Sequence, residues 1–224
     1  MKKILTISLI LFSLIFVYLL TYEKKIYFLS ISNSTNKIDD YNIIIKKYLK
    51  DNNILEKYID MFSNVSYRTT DYINFLEDNK EIKYNNKKIT FKNALIKADI
   101  ITISLGLPDY LFNLNLNNND SNNLIEIRND IICFLNSVRE YSKEDIFFTA
   151  LYNPYKNLEN QKQNNLYIKK LNKEIKEECK KININFIEVK NENLNENSLF
   201  LDYKTNKKIS NKIINIIKNK TLTD

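Results

Sequence analysis

Residues 100–105 read IITISL, an unbroken β-branched and apolar run that ends at Gly106, the only glycine in the chain. Such continuous β-branched character suits a strand in a parallel sheet that is covered on both faces. Just before it, Thr90 opens the helical stretch FKNALIKAD. After it, residues 124–141 predict a long helix and residues 145–151 another strand. The alternation continues toward the amino terminus. Residues 26–31 (IYFLSI) predict a buried strand, and Asp39 or Asp40 caps a helix carrying Tyr41, Ile44, Ile45, Tyr48 and Leu49. Residues 58–62 predict a strand and residues 70–78 a helix capped by Thr69 or Thr70, with residues 79–89 as a small hairpin. Toward the carboxyl terminus, a helix over 161–181 precedes a strand over 184–189, and the last helix covers 207–218. Residues 113–123 (NLNLNNNDSNN) are low-complexity and predict a loop. Strands separated by helices imply parallel βαβ units, hence an α/β fold: a three-layer α/β/α sandwich whose chemistry gathers at the carboxyl ends of the strands.

The chain has 224 residues, 44% of them hydrophobic and 27% charged, enough for one ordinary core and no disordered class. Asn, Ile and Lys dominate, so a lone Asn or Lys carries little information. Histidine is absent. That excludes a Ser-His-Asp triad, a Cys-His pair, a His-ligated metal and an imidazole switch, and neither cofactor nor metal is expected. The net charge is +7, of which Lys2 and Lys3 supply +2 and residues 23–25 a further +1, leaving +4 thinly spread over 26–224. Arg68, Arg128 and Arg139 are the only arginines, too few for dense phosphate or guanine recognition, so nucleic acid is not an expected partner. Cys133 and Cys179 allow one disulfide at most and read as small buried or half-buried thiols.

Lys2 and Lys3 precede an uncharged run over residues 4–22, ILTISLILFSLIFVYLLTY. As a helix this run reaches about 28 Å, enough to cross a bilayer core. It lacks an Ala-x-Ala cleavage site and a lipobox cysteine, so residues 1–25 are expected to form an uncleaved signal-anchor, with residues 26–224 as the domain beyond it. The positive-inside rule then favours a cytoplasmic Met1 end and an extracytoplasmic domain at the cell membrane; a cleaved signal peptide and a secreted protein is the alternative.

The strand ends carry a pattern. Ser32-Asn33-Ser34 follows the first strand, Asn64-Val65-Ser66-Tyr67-Arg68-Thr69 the second, and Gly106-Leu107-Pro108-Asp109 the third; Asp202-Tyr203-Lys204 precedes the last helix. In this order they resemble the SGNH, or GDSL-type, serine esterase family across about residues 26–218. The YRTTD run over 67–71 and the block over 98–109 look like its membrane-anchored or secreted branch in low-GC Gram-positive bacteria. The resemblance implies an SGNH-hydrolase/flavodoxin-like sheet. It places Ser34 at the nucleophile, Ser66, Gly106 and Pro108 at oxyanion positions, and Asp202 at the triad acid. Asn33 replaces the family's Asp, Pro108 replaces the amide-bearing Asn, and no His follows Asp202.

Losing one oxyanion donor costs about 10²–10³ in rate, and losing a triad Ser or His on the order of 10⁶. The expectation is therefore a pseudoenzyme, a membrane-anchored SGNH-like binding or interaction module for a cell-envelope glycan, an acyl ester or a protein. The alternative is a weak or unconventional serine esterase using Ser34, with Lys204 as base. Each residue also has a plain structural role open to it. Ser34, Asp109 and Asp202 suit helix caps, and Arg68 suits either a salt bridge or an anion-binding position. The Lys/Glu pattern over 169–181 reads as a solvated helix face.

Overall fold

The computed structural model describes residues 25–32, 40–84, 87–115, 121–154, 161–189 and 200–221. In chain order the elements are β1 (Ile26–Ser32), α1 (Tyr41–Asp51), β2 (Leu55–Ile59), α2 (Thr69–Glu77), β3 (Glu81–Tyr84), β4 (Lys87–Thr90), α3 (Phe91–Lys97), β5 (Ile100–Ser104), α4 (Leu107–Asn115), α5 (Ser121–Tyr141), β6 (Asp145–Thr149), α6 (Gln161–Lys181), β7 (Asn185–Ile187) and α7 (Tyr203–Thr221). Five strands form one parallel sheet in the order β2-β1-β5-β6-β7, while β3 and β4 make a separate antiparallel hairpin. Helices α1 and α7 cover one face of the sheet; α2, α3, α5 and α6 cover the other.

The expected three-layer α/β architecture with a parallel sheet is present, and several boundaries move. The second strand is Leu55–Ile59 rather than 58–62, because Phe62 is a loop residue buried against the ring of Phe91, 4.7 Å away. The stretch expected as a loop over 113–123 is helical at both ends, where α4 finishes and α5 begins. Helix α7 starts four residues earlier than its apolar periodicity suggested. Cys133 is exposed, Cys179 is buried, and both are free. Residues 4–22 lie outside the described residues; among those described, no helix is long and apolar enough to cross a membrane.

Local chemistry explains the helix boundaries. The Asp40 carboxylate accepts the Asn42 N–H at 2.7 Å to start α1, and Thr90 Oγ1 accepts the Asn93 N–H at 3.3 Å to start α3. With one glycine in the chain, asparagine takes the left-handed position after three helices: Asn53 (φ 60°), Asn79 (φ 49°) and Asn183 (φ 57°). In each case the next N–H reaches back five residues, Ile54 to Leu49, Lys80 to Phe75 and Ile184 to Cys179, which closes the helix as a Schellman motif. These asparagines, uninformative by composition, thus carry definite structural roles.

Candidate functional site at the carboxyl ends of the strands

Strand order reverses between β1 and β5, the place where open α/β sheets leave a crevice. The end of β1 is held there by neighbouring loops. The Ser32 N–H donates to Ser63 Oγ at 3.0 Å, Ser63 Oγ donates to the Ser30 carbonyl at 3.0 Å, and the buried Tyr72 hydroxyl reaches the Ser32 carbonyl at 3.5 Å. Asn33 and Ser34 themselves lie outside the described residues. What precedes them is therefore anchored by the β2 loop and α2.

In that β2 loop, Ser66 is exposed and its N–H is bonded to the Asn64 side-chain oxygen at 2.9 Å. The N–H that the family resemblance matched to an oxyanion donor is turned into its own loop. Arg68 is the N-cap residue of α2, and its N–H donates to the Asp71 carboxylate at 2.7 Å. Its guanidinium stacks over the exposed Phe112 ring, 4.9 Å from the centroid, and no ion pair of Arg68 is present among the described residues. Its positive charge partly offsets the burial that pushes the Asp109 and Asp130 carboxyls upward. Arg68 thus lies in acidic surroundings, close to Asp71, Asp109 and Asp130.

The loop after β5 explains the lone glycine. Gly106 has φ +91°, and a Cβ there would sit 2.6 Å from Ile131 Cδ1 and 3.0 Å from Leu151 Cδ2. The positive φ calls for glycine independently of any oxyanion role, and a side chain there would also have to displace the terminal methyls of Ile131 and Leu151. Pro108 falls in the first turn of α4, where a missing N–H breaks no helical bond, and it supplies no donor. Asp109 does not cap α4. Its buried carboxylate crosses to α2 and accepts the Thr69 N–H at 3.1–3.2 Å and the Thr69 hydroxyl at 2.9 Å. This bridge, which ties the β2 loop to the β5 loop, has no local sequence signature because the partners are 40 residues apart.

Asp202 accepts the Thr205 N–H at 2.7 Å and so caps α7. Thr205 and Asn206 behind it are buried, and Asn206 donates to the Leu201 carbonyl at 3.1 Å. Lys204 is exposed. The first turns of α1 and α7 are therefore both occupied by aspartate carboxylates.

On the α1/α7 face, the carboxyl halves of β1 and β5 turn polar. Ser30 pairs in register with Thr102, and Ser32 with Ser104. Thr102 Oγ1 donates to Asn42 Oδ1 at 2.6 Å under full cover. The Tyr41 hydroxyl lies close to Thr149, Asn42 and Ser104, yet among the described residues neither it nor Thr149 Oγ1 has a hydrogen bond of ordinary geometry. Burial raises the Tyr41 phenol well above its usual range, so it stays neutral.

No protein-family model matches the chain, and no curated protein matches it by sequence. Solved structures do resemble it. The acetyl xylan esterase AlAXEase aligns with a TM-score of 0.62 at 9% identity, over 85% of this chain and 98% of that one. The lipase Lip_vut3 from a goat rumen metagenome gives 0.60 at 16% identity, over 83% and 94%. Axe2, an acetylxylan esterase from Geobacillus stearothermophilus, gives 0.53 at 12%, over 73% and 75%. Likeness at these identities establishes the fold alone: the three-layer α/β architecture is shared with these two acetyl xylan esterases and this lipase.

Proposed function

We propose that the protein is a catalytically inactive SGNH-like module of the cell envelope that binds rather than hydrolyses, with an envelope glycan, an acyl ester or a protein as ligand. One observation carries this reading. In a chain without histidine, the acid matched to the family's triad is committed to capping α7 through the Thr205 N–H. Without a base, a serine hydroxyl is a weak nucleophile at neutral pH. Pro108 offers no donor for an oxyanion, and the Ser66 N–H is already bonded. The exposed Lys204 lacks the dry pocket that a lysine base requires.

In this proposal residues 4–22 anchor the chain, in keeping with the resemblance of the YRTTD run over 67–71 to the membrane-anchored or secreted branch of the family. The chain enters at the amino end of β1, so the candidate loops lie at the far end of the sheet. Seven strand residues separate the two ends, roughly 23 Å. The module would present those loops away from the bilayer.

Turnover of p-nitrophenyl acetate by the full chain tests the reading. The expected rate equals that of Ser34→Ala within error. A rate at least tenfold above Ser34→Ala would establish a working esterase instead.

A further inference from the structure

Helix α6 carries Lys162, Leu166, Lys169, Lys173 and Lys176 at alternating steps of four and three, which puts them on one helix face. Between this face and the ends of β6 and β7 runs a groove of about 750 Å³. Leu151, Ile168, Phe186 and Val189 contribute its apolar surface, and Leu166 on its rim is 66% exposed. A cavity of this size falls within the ordinary range for small-molecule sites, about 300–1,000 Å³.

Charge selects the ligand class. Lys169, Lys170, Lys173 and Lys176 line the groove and, among the described residues, face one lining carboxylate, Glu188, which pairs with Lys176. No ion pair of Lys169, Lys170 or Lys173 is present among the described residues. The exposed stems of these lysines leave their ammonium groups free to turn toward an anion at the rim. No arginine lines the groove, so the bidentate fork that favours phosphate is missing, and the lysines act as point charges. An apolar trough with an ammonium edge fits a single-chain amphiphile with a compact negative head.

We propose that this groove binds a long-chain fatty carboxylate, its chain along Leu151, Ile168 and Phe186 and its carboxylate between Lys169 and Lys173. The site goes beyond the function proposed above. It lies on the sheet face opposite α1 and α7 and uses none of the residues matched to the esterase triad.

The test uses the full chain in phosphatidylcholine nanodiscs, photolabelled with a diazirine analogue of palmitic acid and mapped by peptide mass spectrometry. Saturable labelling of peptides covering 166–176 and 185–189, displaced by palmitate, is expected. The double variant Lys169→Glu/Lys173→Glu should lower labelling of those peptides at least tenfold, and Leu166→Asp should lower it as well. All three positions are exposed, and unchanged melting curves would confirm that the variants fold. Label confined to residues 4–22, or an undiminished signal in the double variant, would overturn the proposal. Equal displacement by neutral monopalmitoylglycerol would overturn the carboxylate reading. So would displacement by lysophosphatidylglycerol or an acidic peptide but not by palmitate.

Discussion

Beneath α2, α3, α5 and α6, apolar side chains run the whole length of the strands, from Tyr27 and Leu29 to Ile31 and from Ile101 to Leu105. They are closed by rings of Phe62, Tyr72, Phe91 and Phe134. Beneath α1 and α7 the same strands are apolar only in their amino halves, at Ile26, Phe28, Ile100 and Phe147. Beyond that line come Ser30, Ser32, Thr102 and Thr149. One face is filled by apolar packing along its whole length. The other keeps buried polar groups toward the carboxyl ends of its strands, where Thr102 bridges to Asn42 of α1. A core dominated by packing and a face dominated by hydrogen bonds should respond differently to substitution.

The largest effect is expected on the packed face. Phe134 is fully buried, 5.8 Å from Tyr72 and 6.4 Å from Phe91, and Phe134→Ala should cost about 4 kcal/mol in a urea unfolding experiment. Gly106→Ala follows, at about 3 kcal/mol, because it combines a positive φ with a 2.6 Å clash against Ile131. Thermal melting should then fall by about 9 °C.

Asp109→Ala strands two Thr69 donors under cover, for about 2 kcal/mol. Burial, the leading cause, raises the Asp109 carboxyl above its ordinary 3.8, with the Thr69 bonds opposing. The native state thus holds this proton more tightly than the unfolded chain. The carboxyl's contribution is therefore largest below 3.8 and falls as pH rises through the raised native value. Unfolding at pH 4 and pH 7 should show a larger gap between wild type and Asp109→Ala at the lower pH. The opposite trend would mean that the bonds to Thr69 outweigh burial.

Smaller effects separate capping from catalysis. Asp202→Ala should lower stability by about 1 kcal/mol, whereas Asp202→Asn should be nearly neutral, since asparagine caps helices as well as aspartate does. The smallest changes belong to the sealed hydroxyls. Tyr41→Phe and Thr149→Val remove groups without hydrogen bonds of ordinary geometry, so each should be neutral or stabilising by a few tenths of a kcal/mol. A clear loss in either would point to a bound water or ligand on the polar face.

Much of this fold was legible in the sequence. The run IITISL, the Thr90 cap and the bounds of α6 follow from periodicity and capping chemistry, which are local. The β2 boundary slipped because apolar loop residues such as Phe62 imitate a strand when their packing partner, Phe91, is far away in sequence. The start of α7 was obscured because Tyr203 and Lys204 are exposed and break the apolar period. At the candidate site, matched positions revealed the missing histidine and the lost amide. They could not show that Asp109 bridges to Thr69 or that Ser66 bonds to Asn64, since both depend on loop geometry. The lysine face of α6 looked merely solvated until the fold set β7 beside it.

The central claim, that no activated serine remains, is tested most directly by reacting the full chain with a fluorophosphonate probe, with Ser34→Ala as control. The account predicts no labelling above that control in protein that unfolds cooperatively. Stoichiometric labelling that vanishes in Ser34→Ala would contradict it.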